Sequence, residues 1–305
     1  MKVLASGYPS LDTILPVSHS PEIGSTALIL SDPGAPTFGG CGANVAVGLQ
    51  KLGEPAGVAM VIGDDADGRG YDAYLRACGV DTRNLITLAG TRTSFSLLCR
   101  NPQGEYQNFF YAGAADAWQD SLTLRGLESL TFGLVTVAPY HYNRQFVELL
   151  AEAGVPIIWQ LKPDIYAYPR DGMAAFARAS RAIVMNRIEA DYLVSSMALA
   201  DLRELLNAQT QMLVITRGAD GVTVITADGE AFVPSLAVRV VDSVGAGDGF
   251  TTGFIAGLLA GRAPVTCTQW GVITASFVLE QVGCQTNLPD RAAFEARYKE
   301  HFGTP

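Results

Sequence analysis

Lysine is scarce in this chain. Among 305 residues it stands only at 2, 51, 162 and 299, never after a glycine and never before Ser or Thr. A Gly-Lys-Ser/Thr phosphate loop is therefore absent, and any phosphate must be held by backbone amides and arginine. The five cysteines, at 41, 78, 99, 267 and 284, are odd in number, widely spaced and without a Cys-x-x-Cys pair. That argues against a disulfide framework and a cysteine-based zinc site, and implies reduced core residues. Three histidines, at 19, 141 and 301, offer no metal-binding spacing. Positive charge is in deficit: the net charge is −9 and the pI near 4.8, so the footprint of a nucleic-acid partner is missing. No apolar run reaches membrane-spanning length, and the stretch after Met1-Lys2 is too short for a signal peptide. A cytoplasmic protein with no membrane contact is expected.

What is present suits an enzyme. The chain is 49% hydrophobic and 17% charged, ample for one α/β domain over 1–305 with a small appendage. Strand-like segments are expected at Ala27–Leu30, Ala56–Ile62, Leu134–Ala138, Pro156–Trp159, Ala182–Met185, Met212–Thr216 and Val222–Ile225. Helices are expected at 42–52, 69–78, 143–153, 172–179, 188–195, 199–207, 247–260 and 265–281. Such alternation predicts a mostly parallel central sheet with helices on both faces, and a ligand beyond the carboxyl ends of its strands. Two regions, about 9–32 and 91–111, are strand-rich without helices. In the second, Thr91 to Cys99 and the following Pro102-Gln103-Gly104-Glu105 read as strand, turn, strand.

The most informative stretch is Asp242-Ser243-Val244-Gly245-Ala246-Gly247-Asp248. The β-branched run Val238-Arg239-Val240-Val241 before it reads as a strand, and Phe250, Phe254, Ile255, Leu258 and Leu259 behind it recur at helical spacing. The glycines then sit at a helix start, where unpaired N–H groups and the positive end of the macrodipole favour an anion. Asp248, just past the amides of Gly245, Ala246 and Gly247, is placed to take the proton of a hydroxyl lying against a bound phosphate. A dinucleotide fingerprint would need glycine where Phe250 stands and an acidic residue about 20 positions on, and Glu280 is the first. The Gly249, Gly253, Gly257 stripe reads as close packing of the helix on a sheet.

This segment resembles the Asp-Thr-x-Gly-Ala-Gly-Asp signature of the ribokinase-like (PfkB) family of sugar and nucleoside kinases, with Ser243 in place of threonine. Phe38-Gly39-Gly40-Cys41-Gly42-Ala43-Asn44-Val45-Ala46 is similar to the same family's N-terminal glycine segment. The resemblance runs over nearly the whole chain and implies a ribokinase-like α/β fold, with the helix-free regions forming a small β lid over the sugar site. It implies ATP-dependent phosphorylation of a hydroxymethyl group on a small sugar or sugar derivative, with Asp248 as base. Asp12, Gly39, Gly40 and Asn44 would bind the sugar. Asn186 and the Thr216-Arg217-Gly218-Ala219-Asp220-Gly221 segment would serve the nucleotide, through Thr216, Arg217, Gly218 and Gly221. Glu189, closing Asn-x-x-Glu, would act on Mg²⁺ through water, although the same pattern is also a helix capping box. The segment from Asp242 and the loop Glu280 to Pro289 would enclose a monovalent cation, K⁺, through backbone carbonyls. Pairing of two copies through the lid is a further expectation.

Departures bear on the substrate. Ribokinases carry lysine where Cys41 stands, Val135-Thr136-Val137-Ala138 lacks their ribose-binding glutamate, and Gln160-Leu161-Lys162 replaces the Asp-x-Asn of many relatives. A nucleoside kinase of the same fold is the alternative, with Phe95, Tyr106, Phe109, Phe110 or Tyr111 stacking on a base. A sugar-binding regulator without catalysis is a further one, opposed by Asp248.

Overall fold

The computed structural model describes residues 1–162 and 169–303. In chain order the strands are β1 (Val3–Ser6), β2 (Ser10–Pro16), β3 (Thr37–Gly39), β4 (Ala56–Gly63), β5 (Asp81–Leu88), β6 (Phe95–Arg100), β7 (Tyr106–Tyr111), β8 (Phe132–Val135), β9 (Ile157–Gln160), β10 (Ser180–Asn186), β11 (Met212–Thr216), β12 (Val222–Thr226) and β13 (Gly229–Val233). The helices are α1 (Cys41–Lys51), α2 (Ala66–Ala77), α3 (Ala114–Ala117), α4 (Tyr140–Glu152), α5 (Arg170–Ala179), α6 (Arg187–Met197), α7 (Ala246–Leu259), α8 (Pro264–Val278) and α9 (Arg291–Phe302).

In the main sheet the inner strands β1, β4, β8, β9 and β11 are almost wholly apolar, because both of its faces are covered there. Its order is β13-β12-β11-β10-β9-β8-β1-β4-β5, parallel throughout except for the antiparallel β12 and β13. The two-residue period sends alternate side chains into two cores. Val58, Met60 and Ile62 of β4 join the core that α1, α7, α8 and α9 cover. Ala59 and Val61 join the opposite core, with Tyr142 and Phe146 of α4 and Phe176 of α5. The fold is the expected ribokinase-like one, including a second, four-stranded sheet in the order β3-β2-β6-β7.

Several elements differ from the sequence reading. Val238–Val241 is not a strand: the main sheet ends at β13, the chain leaves it at Pro234, and Val241 and Asp242 instead give their N–H groups to the Leu279 carbonyl. Ala27–Leu30 forms only an isolated bridge, Val17 to Ile29, within an exposed segment, and the short β3 takes the edge of the four-stranded sheet instead. The helix expected at 199–207 is a single 3₁₀ turn, Leu202–Leu205, begun by an Asp201 capping box. The glycine stripe of α7 lies against α8 rather than the sheet. A Cβ at Gly253 would fall 2.1 Å from the Trp270 carbonyl oxygen, so glycine there sets how closely the helices approach.

Candidate active site

The carboxyl ends of the central strands, the lid and the start of α7 enclose one cavity of about 1170 Å³. A single small ligand fills roughly 300–1,000 Å³, so this volume suits two. One end is lined by Tyr8, Asp12, Asn44, Ser96, Asn108 and Phe110, the other by Thr216, Gly218, Ala219, Gly221, Val222 and Ser235 to Val238. Asp248 and the 243–247 loop line the same space.

Asp248 is 7% exposed and stands in the first turn of α7, yet it does not cap that helix. Two amides from distant elements reach its carboxylate instead. Asn44 Nδ2 donates to Oδ2 at 2.7 Å, and Gln160 Nε2, at the end of β9, donates to Oδ1 at 2.6 Å. Asn44 is itself oriented by Gln285 Nε2, which donates to its Oδ1 at 2.7 Å, and Gln285 accepts from Tyr74 O–H at 2.5 Å. This chain of bonds fixes the carboxylate as an acceptor facing the cavity. An acid that merely complemented the helix dipole would need none of it.

Ahead of Asp248, Gly245 has φ +80°, and a Cβ on it would fall 2.6 Å from Cys284 Cβ, so only glycine fits. Gly247 differs, since a Cβ there would meet nothing within 4 Å and the residue is open to the cavity. Among the described residues the amides of Gly245, Gly247 and Asp248 make no backbone bond, whereas that of Ala246 donates to the Ser243 carbonyl at 3.3 Å. Of the expected Gly245, Ala246 and Gly247 amides, the first and last are thus free of a backbone partner and that of Ala246 is engaged. Gly247→Ala should leave the melting temperature unchanged or raise it, because alanine is the better helix former by roughly 0.5–1 kcal/mol. It should also weaken ATP binding at least about tenfold by filling the anion's approach. Isothermal titration beside a melting curve checks both, and unaltered ATP affinity would remove the cradle.

Asp242 does not face the cavity. Its buried carboxylate accepts from the amides of Val244 and Gly283, each at 3.0 Å, and from Tyr106 O–H at 2.9 Å. Arg100 of β6 donates to the Val241 carbonyl at 2.7 Å. The lid is thereby tied to the segment that leads into the cradle.

Asp12 lies 9% exposed on β2, accepts from Ser10 Oγ, and is pushed above the usual carboxylate range by burial. The space a Cβ at Gly39 would need is taken by the Asp12 carboxylate, and that at Gly40 by the Tyr8 carbonyl. These glycines therefore make room for their own chain, though Gly40 also borders the cavity. Of the lid aromatics only Phe110 lines the cavity, edge-on to Tyr8 at 4.9 Å. Phe95 instead packs on Tyr111, Tyr106 holds Asp242, and Phe109 is 58% exposed on the outer face.

On the other side, Asn186 and Glu189 form a true capping box at the start of α6, and both line the cavity. Burial pushes the Glu189 carboxyl up to about 7. Among the described residues no three metal-ligating side chains cluster. A lone carboxylate beside a phosphate site fits a cation that keeps most of its waters and takes phosphate oxygens, as Mg²⁺ does. Arg217 lines a neighbouring recess with Arg187 and Asp220, not the main cavity, and its Nε donates to Thr223 Oγ1 at 3.1 Å. Gln160 and Lys162, to which the sequence assigns no role beyond a departure from the family pattern, both line the cavity. The replacement of Asp-x-Asn at 160–162 was the available signal.

The model of the pfkB family carbohydrate kinases matches residues 31–291. The chain is 26% identical over 302 residues to a nucleoside kinase of Methanothermobacter thermautotrophicus, covering 99% of this chain and 96% of that protein. It is 30% identical over 236 residues to a fructokinase of Rhizobium leguminosarum bv. trifolii, covering 73% and 72% of the two. A solved nucleoside kinase of Burkholderia thailandensis, in complex with inosine, superposes with a TM-score of 0.86 at 24% identity over 99% of this chain and 100% of that one.

Proposed function

Because the chain belongs to the pfkB family of carbohydrate kinases, which are ATP-dependent phosphotransferases, we propose that it phosphorylates a hydroxymethyl group of a small sugar or sugar derivative. The observation that carries this reading is the Asp248 carboxylate, held by Asn44 and Gln160 beside free α7 amides in a cavity large enough for two ligands. In this reading Asp12 and Asn44 orient the acceptor, the Gly245 and Gly247 amides hold the phosphoryl group, and Asp248 takes the hydroxyl proton. The nucleotide lies along Asn186, Thr216, Gly218 and Gly221. Phosphoryl transfer needs positioning and charge compensation more than covalent help, so this inventory suffices. Measuring ADP release across pentoses, hexoses, keto-sugar acids and nucleosides tests it. A chain that releases ADP with none of them would refute it.

Mg²⁺ bound to the donor phosphates would supply charge neutralisation, and Glu189 would orient its waters. Since Glu189 ionises only near 7, protons compete with the cation below that pH. The Mg²⁺ concentration for half-maximal rate should therefore rise as the pH falls from about 8 to about 6. In Glu189→Gln it should be higher throughout and flat over that range. An identical Mg²⁺ titration in both proteins would take Glu189 out of this role.

A nucleoside acceptor is the second reading, favoured by Tyr8 and Phe110 at the Asp12 end, where a base could stack. K⁺ held by carbonyls near Asp242 and the 280–289 loop belongs to the same proposal. So does a homodimer through the lid, supported by the exposed outer residues Leu97, Phe109 and Tyr111.

A further inference from the structure

Lys162 follows β9 by two residues. Among the described residues it is the only cation lining the cavity, which also presents three carboxylates, those of Asp12, Glu189 and Asp248. The three come from three separate elements: the lid strand β2, the first turn of α6 and the first turn of α7. The three carboxylates all bear on the Lys162 ammonium and favour its charged form. Gln160, two residues earlier, donates to Asp248 Oδ1, so the chain carries Lys162 past the base and along the cavity wall. The residue is exposed and borders the cavity.

The cavity has a charge deficit that this position answers. A nucleoside triphosphate brings several negative charges toward three carboxylates. The cradle amides offer only partial charges, and Arg217 faces the neighbouring recess. The Cys41 thiol is pushed up to about 12, mainly by burial, and so stays neutral in the working range.

We propose that Lys162 is a catalytic residue, the counter-ion of the phosphoryl group as it passes from donor to acceptor. The inference rests on the kinase reading above. In the transfer the acceptor oxygen bonds to the γ-phosphorus while the bond from that phosphorus to the β,γ-bridging oxygen breaks. The electron pair leaves with ADP, and the hydroxyl proton goes to Asp248. Lys162 exchanges no proton and donates N–H bonds to the phosphoryl oxygens throughout.

The test needs no acceptor. Full-length native protein, Lys162→Met, Lys162→Gln and Lys162→Arg are titrated calorimetrically with ADP and with the β,γ-imido analogue of ATP, in magnesium chloride. The Met and Gln variants should bind ADP within about twofold of native and lose about ten- to hundredfold toward the imido analogue, the worth of hydrogen bonds to a charged group. The Arg variant should fall between. Equal weakening of both nucleotides, or of neither, overturns the proposal. So does failure of all three variants to fold, which would make Lys162 a structural neutraliser of the acidic cluster. If the native protein binds neither nucleotide, the kinase reading fails first and takes this one with it. Native binding of both with no selective loss in the variants overturns the Lys162 role alone.

Discussion

Asp248→Asn should lower phosphoryl transfer by roughly 10² to 10⁴ and leave nucleotide affinity within a few fold. The amide has the carboxylate's shape but cannot accept a hydroxyl proton. Both carboxylate oxygens now receive N–H donors, from Asn44 and Gln160, so the new NH₂ must face one of them. Gln160 can yield, because among the described residues its buried Oε1 has no hydrogen-bond partner and its amide can turn to present that oxygen. The variant should therefore fold. Single-turnover rates with the acceptor found in the ADP-release screen make the measurement, and turnover within tenfold of native would sink the base assignment.

Asp12→Ala should raise the acceptor KM by about 5- to 150-fold, since losing hydrogen bonds to buried hydroxyls costs roughly 1–3 kcal/mol. The ATP KM should hardly move, because Asp12 sits at the cavity end away from Thr216 and Gly218. Ser10 and Ser96, 3.1 Å apart at their hydroxyl oxygens beside Asp12, would remain as weaker partners, which keeps the loss finite. Steady-state kinetics with each substrate varied in turn separates the two effects. A normal acceptor KM would remove Asp12 from the acceptor site.

The sequence was most legible where local chemistry decides the structure. The Gly245 turn, the α1 start after Gly40 and the apolar strands β4, β10 and β11 each follow from residue type and spacing. It misled at Val238–Val241, whose β-branched side chains suit a strand that has no neighbouring strand to pair with. β-propensity says nothing about pairing partners. Helix α9 escaped notice because only Phe294 and Tyr298 are fully buried, so its apolar period is faint. Gln160 and Lys162 could be marked as departures from a family pattern. Their nearness to Asp248 arises because β9 ends beside the start of α7, a tertiary fact that no local pattern carries. Arg217 shows the converse, a residue suited to phosphate by type whose neighbours engage it elsewhere.

The bonds from Arg100 to the Val241 carbonyl and from Tyr106 to Asp242 join the lid to the loop that shapes the cradle. On the proposed reading, displacing the four-stranded sheet would strip both bonds from the loop and so couple the two. An acceptor that held that sheet in place would then also help organise the donor's phosphate. By thermodynamic reciprocity a nucleotide that ordered the loop would tighten acceptor binding by the same factor. On the proposed reading, donor and acceptor would then bind synergistically, and these two hydrogen bonds would restrain idle ATP hydrolysis.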